Sequence, residues 1–384
     1  MKKICVISTR PLSIQTFFLD NLMFLADNNF SVFIISDYDE AFSKKLTSLD
    51  ERIVYIPVEM KRGNISPFAL FRYISRFRKI FREHKFDLIQ YVSSNASLYA
   101  SIAGKKEKVP HRIYCEWGYT YLGYSGIKKV LYKFADKLIC KNSTIIQTDS
   151  FSNRDFGIKE KLFDVKKWQI IWNGSACGID FEKLNYNEKE EWNNEVRNRY
   201  GIPKDSFVFG FVGRIEKDKG INELFSAFKS IVDDNVFLLL VGPVDSYKKI
   251  DKELLAWASK CPNIIWTGLV DETKKYYSSM DFLVLPSYRE GFGLVILEAA
   301  AMKVPSIVTN ISGPIDFVKD GENGFLCEVR SSISLLSSMQ KAISLKENDY
   351  NQLCEKAYTD AITKYDRRIF KQYFLENKKD ILKE

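Results

Sequence analysis

The chain has 384 residues, 46% of them apolar and 28% charged, a globular composition too long for one ordinary core, so two domains are expected. Its net charge of +8 is uneven: residues 1–180 carry +10 and residues 181–384 carry −2. The basic half should meet an anionic partner. No zinc-like Cys/His spacing and no nucleic-acid-binding signature occurs, which favours a polyphosphate or an anionic membrane over nucleic acid.

Residues 1–8 hold an apolar stretch too short for a signal peptide and read as a first strand. A helix is predicted over 14–27 with Phe17, Phe18, Leu22 and Leu25 inward, then strands over 31–36 and 52–58. Residues 66–85 form a basic amphipathic helix, with Phe68, Phe71, Ile74, Phe77, Ile80 and Phe81 at helical spacing. Arg72, Arg76, Arg78, Lys79, Arg82 and Lys85 fill its other positions. Such a helix packs its stripe on a sheet, and its cationic face could rest on anionic lipid.

Strands follow at 87–92, 111–115 and 143–148, with a basic helix at 127–140. The turn-rich run 173–180 reads as an interdomain linker, and the polar run 185–198 as surface helix. The second half repeats the alternation, with strands at 206–212, 236–241, 264–267, 282–285 and 306–309. Strands alternating with helices predict an α/β fold of doubly wound parallel sheets. The expected domains are 1–180 and 181–365, with residues 366–384 as a terminal helix. No apolar run approaches the ~20 residues that span a bilayer. Seven scattered cysteines read as reduced thiols of a cytosolic protein.

Two stretches carry chemistry. Gly213-Arg214-Ile215-Glu216-Lys217-Asp218-Lys219-Gly220 follows one strand and opens a helix. Arg214 can fork across phosphate oxygens and Lys219 can add a point charge, which suits a diphosphate leaving group. The spacing is not that of a P-loop. Residues 286–302 run from a strand through Glu290-Gly291-Phe292-Gly293 into an Ala-rich helix. The glycines admit a ligand to backbone amides, and a helix start favours anions. Glu290 flanks this turn, and Glu298 sits in the apolar helix, where a carboxylate needs donors such as ribose hydroxyls.

These residues resemble the Glu-x7-Glu motif of retaining GT-B glycosyltransferases, in particular glycosyltransferase family four. The likeness covers most of 206–329 and includes Gly213-Arg214, Lys219-Gly220, Gly242-Pro243, Gly268-Leu269-Val270, Pro305, Gly313, Asp320-Gly321 and Gly324. The linker Asn173-Gly174-Ser175 with Gly178-Ile179-Asp180 is similar too. The first half resembles the family only in layout. The resemblance implies two Rossmann-like domains facing across a cleft, and a nucleotide sugar held by the second. It implies Arg214 and Lys219 on the diphosphate, near Gly213, Gly291, Phe292 and the amides of Gly293 and Leu294. It also implies Glu298 on the ribose, Glu290 near the donor sugar, and the backbone of Gly268, Leu269 and Val270 along the base. The last helix would cross back to the first domain. No metal or other cofactor is implied, and Asp37-Tyr38-Asp39 is a weak metal candidate.

The chain departs from many relatives twice. Trp117, beside Glu116, stands where a histidine is common, and would either pack in the core or stack on a sugar. Ser8-Thr9-Arg10-Pro11 stands where glycines are common, leaving Arg10 for an acceptor phosphate or acidic sugar. Glu116 and Trp117 complete the acceptor candidates.

The expectation is a retaining, metal-independent hexosyl- or N-acetylhexosaminyltransferase. Its donor would be a UDP-sugar and its acceptor a glycan, polyprenyl-diphosphate-linked, in cell-surface polysaccharide assembly such as capsule or O-antigen. It would be cytoplasmic, at the inner membrane face. Alternatives on the same fold are a nucleotide-sugar epimerase, a phosphorylase, or a non-catalytic nucleotide-sugar-binding partner in a glycosylation complex.

Overall fold

Short apolar runs such as Phe207–Val212 and Val236–Val241 are buried along nearly their whole length, which requires cover on both sheet faces and hence a parallel sheet with helical crossovers. Two such sheets form. A computed structural model of the chain describes residues 1–60, 67–244 and 249–383. The chain divides into two units, Met1–Cys177 with Arg368–Glu384, and Gly178–Arg367.

The first unit's strands are β1 (Lys3–Ile7), β2 (Ser31–Ser36), β3 (Val54–Pro57), β4 (Leu88–Tyr91), β5 (His111–Glu116), β6 (Ile145–Thr148) and β7 (Trp168–Gln169). Their order is β3-β2-β1-β4-β5-β6-β7. Its helices are α1 (Pro11–Phe17), α2 (Leu19–Asp27), α3 (Glu40–Leu49), α4 (Pro67–His84), α5 (Ser94–Lys106), α6 (Gly126–Asn142) and α7 (Phe151–Lys159).

The second unit holds β8 (Phe207–Val212), β9 (Val236–Val241), β10 (Ile264–Gly268), β11 (Phe282–Leu285), β12 (Ser306–Thr309) and β13 (Gly324–Cys327), in the order β10-β9-β8-β11-β12-β13. Its helices are α8 (Lys189–Tyr200), α9 (Ile221–Lys229), α10 (Lys252–Ala258), α11 (Lys274–Tyr277), α12 (Leu294–Ala301), α13 (Pro314–Phe317), α14 (Ser332–Ile343) and α15 (Glu347–Tyr365). Helix α16 (Arg367–Leu382) then supplies Phe370, Phe374, Leu375, Ile381 and Leu382 to the first unit's core, with Ile4 and Val6 of β1. The strand order reverses between β1 and β4, and again between β8 and β11. Such switch points open crevices at the carboxyl ends of strands.

Several expectations are corrected. The helix expected over 14–27 is two helices, broken at Phe18, whose ring is buried. The Asp37-Tyr38-Asp39 triplet is a turn and a cap: Asp37 accepts the Tyr38 N–H, and Asp39 accepts the Phe42 N–H at the start of α3. In the basic helix α4, Tyr73, Phe77 and Phe81 face the core, whereas Phe71 is 77% exposed. Arg78 and Arg82 both bond Glu107. Residue 66, the expected start of that helix, and Glu384 lie outside the described residues. Helix α8 is only partly surface: Trp192 and Val196 are buried, and Arg197 donates to the carbonyls of Pro203, Lys204 and Ser206. The cysteines are all free, and each except the half-buried Cys261 is buried. Among the described residues no helix is long and apolar enough to cross a membrane.

Candidate active site

Strands β8 and β11 are hydrogen-bonded neighbours, so the two chemistry-bearing stretches, distant in sequence, emerge side by side at the second unit's switch point. One glycine lets them touch, and another pins the second of them to a third loop. Gly220 (φ +74°) lies so close to Pro286 that a Cβ would collide with the Pro286 carbonyl oxygen. Gly313 (φ +100°) lies equally close to the Gly291 carbonyl, locking the loop after β12 onto Glu290-Gly291.

The side chains form a charge network. Lys219 Nζ donates to Glu290 Oε1 at 2.6 Å, and Ser287 Oγ donates to the same oxygen at 2.7 Å. Arg214 pairs with the buried Glu216 at 2.5 Å. Arg289 pairs with Asp218 at 2.9 Å. Burial pushes the Asp218 carboxyl up, but Arg289, Lys219 and Arg214 pull harder and hold it below the ordinary carboxylate range. One carboxylate thus feels three cations, which places Arg214 and Lys219 in a common electrostatic field. Tyr288 donates to Glu223 and lies under the Arg330 guanidinium.

Helix α12 starts at Gly293, in the left-handed region (φ +88°), with no side-chain cap. No side chain takes the amides of this first turn, where the Ile296 N–H bonds the Gly293 carbonyl, and a helix start of this kind favours an anion. Phe292 is buried against Tyr365, and Leu294 is half-buried. Glu298, in the second turn, accepts from the Tyr277 hydroxyl at 2.5 Å. Burial pushes its carboxyl up, an effect partly offset by Tyr277 and Arg367. Glu298 and Arg367 line a cavity of about 250 Å³ with Asp180, Lys183, Thr273 and Lys274. Gly213 opens the loop after β8. Gly268 ends β10 and its carbonyl accepts the Gly242 N–H; Leu269 is exposed and Val270 half-buried.

The acceptor candidates lie in the first unit. Arg10 is exposed after β1, where Thr9 and Ser93 bridge the β1 and β4 ends at 2.8 Å. Glu116 ends β5 and is 2% exposed, beside Tyr114 and Tyr119, whose hydroxyls burial and the Glu116 charge push up. Trp117 stacks on Phe18 (5.0 Å between ring centres) and meets Phe17 edge-on. It also lines a small cavity with Gln90, Gln147 and Asp149. Of the two histidines, His84 stacks on Phe86 and His111 begins β5.

Sequence reasoning did not single out Ser287, Asp218, Arg289, Tyr277 or Arg367 as site residues. The first three sit within the two stretches already singled out. Tyr277 and Arg367 lie outside them and carry no local motif. Among the described residues no three His, Cys, Asp or Glu side chains group as metal ligands would.

Comparison with known proteins agrees with this architecture. The family "Glycosyl transferases group 1" matches residues 193–360, and "Glycosyl transferase 4-like" matches residues 3–150. The capsular polysaccharide biosynthesis glycosyltransferase CapM of Staphylococcus aureus is 32% identical over 324 residues, covering 84% of this chain and 82% of that protein. The N,N'-diacetylbacillosaminyl-diphospho-undecaprenol alpha-1,3-N-acetylgalactosaminyltransferase of Campylobacter jejuni is 23% identical over 383 residues, 95% of each chain. The structure of Anabaena Alr3699/HepE in complex with UDP superposes with a TM-score of 0.77, at 18% identity over 99% of this chain and 100% of that one, and shares the fold. With both units matched and the likeness to CapM spanning most of each chain, this protein belongs to the group 1, family-four-like glycosyltransferases of GT-B fold.

Proposed function

We propose that the chain is a retaining hexosyl- or N-acetylhexosaminyltransferase that uses a UDP-sugar and glycosylates a polyprenyl-diphosphate-linked glycan at the cytoplasmic membrane face. The observation that carries this reading is the pairing of Lys219 with Glu290 beside Arg214 at the β8/β11 switch point. Arg214, Lys219 and the amides of Gly293 and Leu294 take the diphosphate. Glu298 takes the ribose, Glu290 faces the donor sugar, and the backbone of residues 268–270 flanks the base.

In the step proposed, the bond from the sugar's anomeric carbon to the β-phosphate oxygen breaks. The acceptor hydroxyl oxygen bonds to that carbon on the same face, and its proton passes to the departing phosphate. Negative charge grows on the diphosphate, where Arg214 and Lys219 stabilise it. These fixed cations supply what a divalent ion would otherwise provide, so activity should survive a chelator. The acceptor is assigned to the first unit near Arg10, Glu116 and Trp117. The names of the S. aureus and C. jejuni relatives support a capsule-type pathway and a lipid-linked acceptor.

The test is a transfer assay with UDP-sugars and polyprenyl-diphosphate-linked acceptors, with and without EDTA, the product's anomeric configuration being read by NMR. An α-linked product from an α-linked donor, insensitive to EDTA, is expected. Inversion, or turnover only without acceptor, would overturn the assignment.

A further inference from the structure

Helix α6 wears its apolar stripe on the wrong side for a core helix. Ile127, Val130, Leu131 and Phe134 are 78%, 68%, 52% and 66% exposed. At 3.6 residues per turn they share an arc of about 100°. The opposite face is the packed one, where Asp136, Ile139 and Cys140 are buried. Lys128 and Lys137 are exposed on either side of the stripe, and the exposed Lys141 continues it by one turn. The helix's single acidic side chain, Asp136, points inward, so no carboxylate lies on the outer face. Helix α4, the sequence's own candidate for a lipid-facing element, buries Tyr73, Phe77 and Phe81. Its one large exposed apolar residue among those whose side chains are described is Phe71. Both helices are crossovers after parallel strands and so begin at the same carboxyl edge of the sheet.

We propose that the outer face of α6 docks on an anionic lipid surface, with Ile127, Val130, Leu131 and Phe134 in the headgroup–acyl boundary and Lys128, Lys137 and Lys141 among lipid phosphates. An apolar stripe flanked by cations on a helix too charged to span the bilayer is the form that lies in the interface plane. The charge of residues 1–180, +10, adds attraction to such a surface. A second copy of the chain is the poorer occupant, because a twofold axis through the stripe would bring lysines against lysines. Of the proposed function, the inference uses only the location at a membrane.

The experiment is co-sedimentation of the full chain with vesicles of phosphatidylglycerol and phosphatidylcholine, and with phosphatidylcholine alone, in the absence of donor and acceptor. Failure of the transferase reading therefore leaves the result intact. Binding to the anionic vesicles, weakened by salt, is expected. The Ile127→Ser/Leu131→Ser/Phe134→Ser variant should lose at least about tenfold in partitioning with an unchanged melting temperature. Lys128→Glu/Lys137→Glu/Lys141→Glu should abolish the preference for anionic vesicles, and Phe134→Trp emission should shift to the blue on binding. Three outcomes would overturn the proposal: no vesicle binding at low salt, a serine variant that binds like the parent, or a parent dimer in light scattering that the serine variant converts to monomer.

Discussion

Lys219 and Glu290, 71 residues apart, form a 2.6 Å ion pair across the ends of two paired strands. In the ligand-free protein the cation proposed for the diphosphate is already neutralised by the carboxylate proposed for the sugar. A nucleotide must therefore compete with Glu290 for Lys219. Glu290→Gln should free the lysine. UDP is expected to bind several-fold tighter while kcat falls by at least about tenfold, through loss of a charge placed for the transition state. Calorimetric titration with UDP beside steady-state kinetics checks this; weaker UDP binding would show that the pair does not oppose the ligand.

Arg214→Ala and Lys219→Ala should each cut turnover by on the order of a hundredfold, as for removal of one preorganised donor to developing charge. A single-turnover assay separates this loss from product release. Near-normal turnover in both variants would remove the leaving-group role.

Glu298 should trade stability for binding. Its carboxyl is raised by burial, so the folded protein holds this proton at a pH where the unfolded chain has lost it. Stability is therefore lost as pH rises through that window. Glu298→Gln should melt higher than the parent at pH 8 and no higher at pH 4, yet bind UDP more weakly. Scanning calorimetry at the two pH values, with and without UDP, reads both effects.

Two buried charges set opposite pH trends in the first unit. Burial pushes the Asp136 carboxyl up to about 7, the Tyr114 hydroxyl opposing, and one of its oxygens has no hydrogen-bond partner. Burial pushes the fully buried Lys378 down to about 8. The Asp136 contribution falls as pH rises from about 4 to 7. The Lys378 contribution rises from about 8 to 10.5, because the folded state sheds its proton first. Asp136→Asn should raise the melting temperature at pH 8 but not at pH 4. Lys378→Met should raise it at pH 7, with the gap closing by about pH 10.5. Unchanged pH dependence in both variants would show that these groups do not titrate between the states.

Gly313→Ala should destabilise the second unit by about 1–3 kcal/mol, from the strained backbone and the collision with the Gly291 carbonyl. It should also weaken nucleotide binding through the displaced Glu290 loop. Thermal melts with and without UDP distinguish these effects.

The second unit was the more legible. Gly213, Arg214, Lys219, Glu290, Gly293 and Glu298 sit in local strand–turn–helix patterns, and their spacing states the geometry before any tertiary contact is known. Tyr277 and Arg367 could not be read, because Tyr277 reaches the Glu298 carboxylate, and Arg367 the cavity beside it, through folding alone. In the first unit the stripe of α4 was legible as periodicity. Periodicity does not say which way a stripe faces, so α4 drew the attention that the outward residues of α6 warrant. The break at Phe18 escaped for a related reason: the ring's place beside Trp117 is set by β5, nearly a hundred residues on.

The terminal helix α16 has a consequence for how the protein is made. Its Phe370, Phe374 and Leu375 belong to the same core as Ile4 and Val6. The unit that leaves the ribosome first therefore cannot close its core until the chain has been synthesised past residue 382. The second unit, Gly178–Arg367, has all its core residues by then and can fold while its predecessor waits. Removal of residues 368–383 would strike at the opposite end of the chain, exposing the face of β1 while leaving the second unit's sheet complete.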